Sequence, residues 1–341
     1  MQADPLLSIV IVYWNSAKHL PRCLDCLARQ TSRDFEVIIV DNGSSELDRG
    51  TEELDRKYPS LALRLEQRPT NLGFAAGNNV GAQLARGEWL VLLNADAFPE
   101  PDWLEKLLAA AKAHPEAASF SSRQLQADQP SVLDGTGDAY HVSGFAWRLG
   151  LGYPADRYGL APAELFSPCA AAAMYRREAF LDAGGFDEDF FSYYEDVDLG
   201  FRLQLKGYRC FYVPEAVVHH IGSATFGVRS DFAFYHSHRN LVWTFVQNMP
   251  SRLFWRYLPA HIMTNLIYVL YYTLLGRGKV LWNAKWDAMR GLPKALAKRR
   301  NIQNDRRASN ADLLCLMQRG WLQPYLLGYR LRRALADSKE N

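Results

Sequence analysis

Two clusters of polar side chains, about a hundred residues apart, carry the clearest chemical signals in the sequence. In the first, Asn94 and Asp96 follow the short apolar run Trp89–Leu93. An unbroken apolar run indicates a strand covered on both faces, and ligands of α/β sheets bind beyond the carboxyl ends of such strands. A carboxylate with an amide oxygen two residues earlier can bind a divalent cation that carries a diphosphate. An ordinary Asx turn would use the same residues.

The second cluster is Glu195, Asp196 and Asp198, which precedes a segment of helical periodicity that runs to Gly207. The helix dipole stabilises carboxylates at a helix start, so capping accounts for some of them. Three carboxylates within four residues exceed what a cap needs, and one could serve as a general base. His220 ends a strand-like segment. It is either a solvated loop residue or a neutral imidazole that completes the metal site begun by Asp96.

Alternating strand-like and helix-like runs precede the first cluster and must position it. The strand-like runs lie at 7–14, 35–40, 61–65 and 89–93, and the helix-like runs at 18–30, 46–58 and 76–86. This alternation predicts an α/β fold with a doubly wound, mostly parallel sheet. Asp41 ends the second strand, where such folds place a nucleotide-binding carboxylate. The loop 70–79 is rich in Gly, Ala and Asn and leads into a helix whose N-terminus favours phosphate, but it matches no phosphate-binding motif.

The second half of the chain is less regular. A helix is predicted at 102–113, strands at 169–175 and 209–213, and only short strand-like pieces in 117–165, which we interpret as a variable substrate loop. Cys23 and Cys26 form a single C-x-x-C in a predicted helix, so helix packing is favoured over zinc or redox chemistry. Five scattered cysteines fit a reducing compartment. The first residues lack a basic segment, and we expect no secretory signal peptide.

Charge is distributed unevenly along the chain. Residues 241–341 carry 17 Lys and Arg against 5 Asp and Glu, whereas residues 1–240 carry 22 against 32. An acidic body with a basic, apolar-rich tail suggests an anionic membrane surface or a nucleic acid as partner. The tail shows no recognised nucleic-acid-binding motif, and the acidic body would repel such a partner, so we expect no nucleic acid.

The segment 257–276 contains no Asp, Glu, Lys or Arg. Its length would span a bilayer, but polar residues from Pro259 to Asn265 dilute its hydrophobicity, and its tyrosines are typical of interfaces. A helix lying in the membrane interface is therefore favoured over a spanning one. A buried helix of a C-terminal subdomain is the third possibility.

The ordered motifs resemble glycosyltransferase family 2 with a GT-A fold, and within it the bacterial rhamnosyltransferases of cell-surface polysaccharide assembly. The resemblance covers residues 7–245 closely and the tail loosely. It rests on Ser8–Asn15, Val40–Ser44, Asn71–Ala75, Leu93–Asp96, Gly185–Asp187, Glu195–Asp198, His220 and Arg239–Asn240. It implies an inverting transfer of a sugar from a nucleotide diphosphate sugar. The favoured donor is dTDP-L-rhamnose, and a UDP-hexose is the alternative donor. The implied acceptor is a saccharide or a polyprenyl-linked sugar.

On the donor side, the resemblance implies that Tyr13, Asn15 and Asp41 hold the base and ribose and that Asn71 borders the same pocket. It further implies that Asp96 binds Mg²⁺ or Mn²⁺ on the diphosphate, with His220 as a further ligand. Asn94 stands at the first position of the family's D-x-D motif, a departure from its acidic form that weakens the expected affinity for metal.

On the acceptor side, the resemblance implies that Asp196 deprotonates the attacking hydroxyl. Glu195 and Asp198 would orient the acceptor or support the helix start. A base on the face of the sugar opposite the leaving group should lie away from the metal, in agreement with two separate acidic clusters.

Two rival functions remain. A sugar-nucleotide nucleotidyltransferase would carry a Gly-rich, basic loop after the first strand, where this chain has Tyr13–Ser16. A non-catalytic scaffold that kept the fold is favoured only by Asn94. We expect a GT-A domain at 1–245 and a helical, basic, membrane-associated segment at 246–341, placed peripherally or monotopically on the cytoplasmic face of the plasma membrane.

Overall fold

The computed structural model describes residues 4–16, 18–45, 51–222 and 230–324, with the backbone alone for 51–53. The first elements alternate as predicted: β1 (Leu7–Tyr13), α1 (Leu20–Ala28), β2 (Phe35–Asp41), α2 (Thr51–Lys57), β3 (Ala62–Gln67), α3 (Gly73–Leu84) and β4 (Trp89–Leu93). These strands pair in parallel in the order β4-β1-β2-β3. The third helix begins at Gly73, three residues earlier than the pattern predicted, and residues 46–50 of the second predicted helix lie outside the described part.

Of the elements that follow, most strands extend the sheet on its other side, and two strands (138–140 and 146–148) form a separate two-stranded sheet. These elements are β5 (Ala97–Pro99), α4 (Trp103–Ala113), β6 (Ala117–Gln126), β7 (Leu133–Gly135), β8 (Asp138–Tyr140), β9 (Ala146–Arg148), β10 (Ala163–Leu165), β11 (Ala172–Arg176), α5 (Arg177–Asp182), a 3₁₀ turn (Glu188–Phe190), α6 (Glu195–Leu205) and β12 (Arg209–His220). The strand order is β10-β12-β6-β11-β4-β1-β2-β3. Because β11 and β10 run against the other strands of this order, the sheet is mixed but mostly parallel.

Both faces of the sheet are buried, as expected for strands with unbroken apolar runs. Side chains alternate along β1, so that Ile9 and Ile11 pack under α1 and α4 while Val10 packs under α3, α5 and α6. Cys23 and Cys26 are free thiols buried on α1, which agrees with a packing role.

Two strands are longer than the sequence indicated. β6 spans ten residues in a region where only short pieces were expected. Its buried Ser119, Ser121 and Ser122 give the strand a polar pattern that hides its burial. β12 continues beyond the predicted end at 213, because a register shift between Val213 and Val217 accommodates Pro214.

The C-terminal region is helical: α7 (Asp231–Asn248), α8 (Ser251–Leu274), α9 (Gly278–Arg290), α10 (Leu292–Asn304) and α11 (Asn310–Leu316). A third core joins α6 to α7 through Phe201 and Phe245, and α9 to α11 extend it. In contrast, α8 leaves a broad apolar face exposed, which includes Trp255, Leu266 and Leu270. The described helices include none whose length and apolar character suffice to cross a membrane.

Candidate active site

A cavity of about 1090 Å³ opens where β1 and β4 end. What we call the polar wall is formed by strand ends and the loops after them: Tyr13, Asn42, Asn71, Asn94, Asp96, Asp134, Asp138, Arg148, Glu195, Asp196 and His220. What we call the aromatic wall is formed by the segment around β9 and by α7 and α8: Phe145, Trp147, Phe234, Tyr268, Tyr271 and Tyr272. The fold thus brings most of the predicted site residues into one cavity. Asn15, Asp41 and Asp198 lie just outside its lining.

The loops after β1 and β2 are tied together by side-chain amides. The Asn15 backbone N–H donates to Ser44 Oγ at 2.9 Å, and its Oδ1 accepts from the Ser45 backbone N–H at 2.9 Å. Asn15 adopts a left-handed backbone (φ 49°), which asparagine tolerates better than most residues. Asn42 donates to Asn71 Oδ1 at 3.1 Å and accepts from the Leu72 N–H at 3.0 Å. This cross-linking gives a rigid rim at the polar wall.

Asp41 lies directly beneath that rim and is fully buried. Its Oδ1 accepts from the Ser44 N–H at 2.9 Å, whereas its Oδ2 has no hydrogen-bond partner among the described residues. Burial, together with the nearby Asp41 carboxylate, raises the pKa of Tyr13 and keeps its hydroxyl protonated. A buried carboxylate oxygen without a donor is costly unless a ligand satisfies it, and a ribose hydroxyl would do so.

Asp96, Asn94 and His220 converge at the end of β4. His220 Nε2 lies 3.3 Å from Asp96 Oδ1 and 3.3 Å from Asn94 Nδ2. The antiparallel pairing of β5 with β12 brings His220 next to Asp96, because His220 lies opposite Ala97 in the strand register. The other ring nitrogen, Nδ1, donates to Asp134 Oδ2 at 2.8 Å. Metal-binding histidines characteristically donate their second nitrogen to a carboxylate, so this arrangement suits a divalent cation held by Asp96 and His220.

Without a cation, the two carboxylates around His220 act on its ring. Burial lowers the pKa of His220, but the hydrogen bonds with Asp134 and Asp96 outweigh burial and raise the pKa to about 9. The neutral imidazole expected from the sequence is therefore not the form that this charge environment favours. A cation would compete with the ring proton for the same nitrogen.

A chain of charged contacts leads from this group to the second acidic cluster. Arg148 is partly buried between two carboxylates, with Nη1 3.4 Å from Asp134 Oδ2 and Nε 3.7 Å from Asp138 Oδ1. Asp138 in turn adjoins Asp196 and Cys169, and the ligand atoms of these three residues lie within 4.8 Å of one another. With Arg148 against Asp138, and with burial raising the pKa of the Cys169 thiol, this trio is a poorer cation site than Asp96 with His220.

Asp196 and Glu195 differ in how their carboxyl groups are held. Asp196 accepts from the backbone N–H groups of Ala170 at 3.2 Å and Val197 at 2.8 Å. Burial raises its pKa above the usual range, and the opposing effects of Arg148 and these backbone bonds reduce this shift without cancelling it. Glu195 Oε2 has no partner in the described part of the chain, and burial together with the charge of Asp196 raises the Glu195 pKa well above its usual value. The ionised form is thus better supported at Asp196 than at Glu195.

Asp198 belongs to a different environment. It is fully buried, forms an ion pair with Arg202 at 2.7 Å and accepts from Asn248 Nδ2 at 2.6 Å. Of the two roles expected for it, support of the helix start matches these contacts, because they join the first turn of α6 to α7.

The loop before Glu195 has an uncommon backbone. Phe191, Tyr193 and Tyr194 all have positive φ, between 65° and 71°. The Asn240 side chain donates to the carbonyls of Phe190, Ser192 and Tyr193 at 2.7–3.0 Å, and Arg239 donates to the carbonyls of Asp189 and Phe190. Left-handed conformations of bulky residues persist only where surrounding contacts hold them. The Arg239–Asn240 motif therefore acts by fixing the loop that presents Glu195 and Asp196.

Sequence reasoning missed Asp134, Asp138 and Arg148. They lie in three-residue strands within 117–165, too short to show a period of two. Arg148 and Trp147 alternate along β9, so one contacts the polar wall and the other the aromatic wall. The signal that could have found them is compositional: two Asp and one Arg amid apolar residues in a region expected to bind substrate.

The chain is similar in sequence to known glycosyltransferases. The family model "Glycosyl transferase family 2" matches residues 8–183. An N-acetylglucosaminyl-diphospho-decaprenol L-rhamnosyltransferase of Mycobacterium tuberculosis is 31% identical over 249 residues, covering 64% of this chain and 78% of that protein. The O-antigen biosynthesis protein RfbC of Myxococcus xanthus is 30% identical over 231 residues, covering 64% of this chain and 18% of RfbC.

A solved structure of GalNAc-T7 with UDP, GalNAc and Mn²⁺ superposes with a TM-score of 0.60 at 18% identity, covering 74% of this chain and 49% of that one. This similarity supports the GT-A fold that the sequence predicted. Since the family model spans more than half of the sequence, the chain belongs to glycosyltransferase family 2.

Proposed function

We propose that this family 2 enzyme transfers L-rhamnose, with inversion, from dTDP-L-rhamnose to a hydroxyl of a saccharide or polyprenyl-linked acceptor in cell-surface polysaccharide synthesis. The names of its relatives support the sugar, the lipid-linked acceptor and the pathway class. A UDP-hexose remains the alternative donor, since GalNAc-T7 was solved with UDP. The family assignment favours a transferase over the nucleotidyltransferase and scaffold alternatives.

The observation that carries the proposal is that two acidic groups line one cavity without touching each other directly. Asp96 adjoins His220, whereas Asp196 adjoins Asp138, and the contacts of Asp134 and Arg148 lie between the two groups. Inverting transfer needs this separation, because the hydroxyl attacks the sugar from the side opposite the departing diphosphate.

The donor would bind along the cross-linked rim. Tyr13 and Asn71 line the space for the base and ribose, Asn15 holds the neighbouring loop in place, and Asp41 offers its unsatisfied Oδ2 from below. Asp96 and His220 would hold Mg²⁺ or Mn²⁺, with the Asn94 side chain beside them. When bound, the cation offsets the negative charge that grows on the leaving nucleoside diphosphate.

Asp196 would act as the base. As the acceptor oxygen forms its bond to the anomeric carbon, the bond from that carbon to the diphosphate breaks, and the hydroxyl proton passes to an Asp196 oxygen. Glu195, protonated because of its raised pKa, would donate a hydrogen bond to the acceptor. Asp198 would support this pair through Arg202 and Asn248.

The decisive experiment is donor turnover by the purified protein, with Mn²⁺, Mg²⁺ or chelator, against a panel of dTDP- and UDP-sugars. We expect release of dTDP from dTDP-L-rhamnose that chelator abolishes. Release of UDP from a UDP-hexose would identify that sugar nucleotide as the donor, and the reaction would still be a glycosyl transfer. If no donor gives either turnover or a thermal shift, the enzymatic proposal is overturned and the scaffold alternative is favoured.

We also propose the division into a GT-A domain, 1–245, and a membrane-associated helical segment, 246–341, on the cytoplasmic membrane face. The exposed Leu266, Leu270 and Leu274 on α8, close to basic residues such as Arg277, support this proposal. Leu270→Asp should weaken co-sedimentation with anionic vesicles, while Leu160→Asp, at an exposed leucine remote in sequence, should not. Equal sedimentation of Leu270→Asp and the parent protein would contradict membrane contact through α8.

A further inference from the structure

The cavity has more lining than the proposed donor site uses. Its volume of about 1090 Å³ is at the upper end of the roughly 300–1,000 Å³ typical of small-ligand sites. The polar wall accounts for the donor, and the aromatic wall has no part in the mechanism above. The aromatic wall therefore needs its own explanation.

The rings of the aromatic wall form a continuous path. Trp147 lies 6.3 Å from Phe145, Phe145 stacks on Tyr268 at 5.3 Å, and Tyr268 stacks on Tyr272 at 6.0 Å between ring centroids. Tyr272 then meets Phe234 edge-on at 4.5 Å. Because Trp147 adjoins Arg148 on β9, this path begins beside the acceptor-side carboxylates.

The far end of the path carries positive charge and reaches the exposed face of α8. Arg277 lines the cavity with its guanidinium 4.6 Å over the Phe234 ring, and Arg277 also pairs with Asp231 at 2.6 Å. Ile267 and Tyr271 line the cavity and are nevertheless 38% and 47% exposed, so they belong to both the cavity and the outer surface of α8. The apolar lining of the cavity is thus continuous with the surface proposed to contact the membrane.

We propose that the channel between α7 and α8 is a binding subsite for the diphosphate-proximal isoprene units of a polyprenyl diphosphate-linked acceptor, which enters past Ile267 and Tyr271. This inference rests on the proposed function, which it deepens by assigning residues to the lipid part of the acceptor. The aromatic rings supply flat apolar contact for isoprene units along this path. The acceptor sugar then lies toward Glu195 and Asp196.

The physical reason for such a subsite is access. A sugar attached to a membrane lipid cannot diffuse freely into a closed pocket, so the pocket must open at the surface that meets the bilayer. Ile267 and Tyr271 mark such an opening, since both line the cavity and are exposed on α8.

The test uses the full chain in detergent micelles with decaprenyl diphosphate that carries a photoreactive diazirine in the isoprene unit next to the diphosphate. Peptide mapping after irradiation should place the label on α7 or α8 residues of the channel, such as Tyr268 or Tyr271. Excess unlabelled decaprenyl diphosphate should remove the label, whereas inorganic pyrophosphate should not. Label confined to other elements, or label that pyrophosphate removes, would overturn the proposal.

A matched pair of variants separates the channel from exposed leucines elsewhere. Ile267→Asp places a charge at the mouth and should reduce labelling about tenfold or more, because the contact of roughly two buried CH₂ groups is lost. Leu296→Asp places a charge at an exposed leucine of α10 that does not line the cavity, and it should leave micelle labelling unchanged. Equal labelling of Ile267→Asp and the parent protein would contradict the subsite.

Donor binding is measured in parallel so that the two proposals can fail separately. Thermal shifts with dTDP-L-rhamnose and with UDP-sugars report on the polar wall alone. A protein that binds a donor but is labelled outside the channel would overturn this inference and leave the proposed function standing. A protein that is labelled in the channel but binds no donor would overturn the proposed function instead.

Discussion

The polar wall and the aromatic wall of the cavity are held in place by different forces. On the polar wall, Asn42 bonds Asn71 and His220 bonds Asp134, so directional hydrogen bonds join segments far apart in sequence. On the aromatic wall, rings such as Phe145 and Tyr268 are positioned mainly by packing. Directional bonds fix atoms for chemistry but fail when one partner is removed, whereas ring packing tolerates changes that preserve shape. Substitutions on the two walls should therefore differ sharply in cost.

The largest effect is expected at the proposed base. Asp196→Asn keeps the shape and removes the proton acceptor, so kcat should fall by about 10²–10⁴-fold while donor binding is retained. The measurement is nucleoside diphosphate release together with donor-induced thermal shift. Asp182→Asn, at a half-exposed ion pair with Lys206, is the control and should leave kcat unchanged. Parent-like turnover in Asp196→Asn would remove Asp196 from the mechanism.

The next effect should come from a residue that touches neither reacting group. Asp134 accepts from His220 Nδ1 and orients the ring. Partners of this kind typically contribute 10–100-fold to metal affinity or activity, so Asp134→Ala should raise the Mn²⁺ concentration needed for half-maximal turnover by about that factor. Asp128→Ala, in the loop after β6, provides the control. An unchanged Mn²⁺ requirement would show that His220 needs no orienting partner.

A smaller loss of stability and activity is expected at Asn240, which holds the loop 190–194 before Glu195 in its strained backbone conformation. Asn240→Ala removes donors to three carbonyls of residues 190–193, each worth about 1 kcal/mol, and should lower the free energy of unfolding by about 1–3 kcal/mol. kcat should fall more than KM changes, because Glu195 and Asp196 lose their fixed position. Chemical denaturation and kinetics measure the two effects. An intact kcat would mean that the loop holds its shape without Asn240.

The pH dependence should move in a defined direction. Burial and the charge of Asp196 raise the pKa of Asp138 to about 7, and a charged Asp138 in turn raises the pKa of Glu195. Activity that needs an ionised carboxylate falls as pH drops through the apparent pKa of the cluster. Asp138→Asn removes one negative charge, so the acidic limb of the kcat profile should shift to lower pH. A shift to higher pH would contradict this assignment of charges.

The smallest effect should appear on the aromatic wall. Tyr272→Phe keeps the ring that packs against Tyr268 and Phe234, so stability and turnover with a water-soluble acceptor should stay within about 0.5 kcal/mol and twofold of the parent. Denaturation and initial rates check both values. A loss as large as that of Asp134→Ala would erase the distinction between the walls.

The sequence predicted the half of the molecule whose elements repeat regularly. The strands β1, β2 and β4 were visible because each contains an unbroken apolar run, at 9–12, 37–40 and 89–93, and polar residues follow each run. The assignments of Tyr13, Asn71, Asp96, Asp196 and their neighbours stay predictions, although the fold gathers most of them around one cavity. Their proximity could be anticipated because carboxyl ends of parallel strands share an edge of the sheet.

The rest could not be predicted for physical reasons. The serines of β6 give this buried strand a polar sequence, so its burial could not be recognised. The strands that place Asp134, Asp138 and Arg148 have only three residues each, too few to show an alternating pattern. Their meeting depends on tertiary packing alone. The aromatic wall was visible only as scattered tyrosines in 257–276, because a ring path is a property of how α7 and α8 cross, not of spacing along either one.

The pairing of Ala97 with His220 also bears on the order of events during folding. Asp96 and His220 are separated by more than 120 residues, and the backbone bond from the Ile221 N–H to the Asp96 carbonyl, at 3.1 Å, forms only when β12 inserts beside β6. Contacts of such long range form slowly, since loop closure must precede them. The segment matched by the family model, 8–183, lacks β12 altogether. A nascent chain on the ribosome would thus complete the donor rim first and acquire the histidine only after about two thirds of the chain has been made, which delays assembly of the Asp96–His220 pair until then.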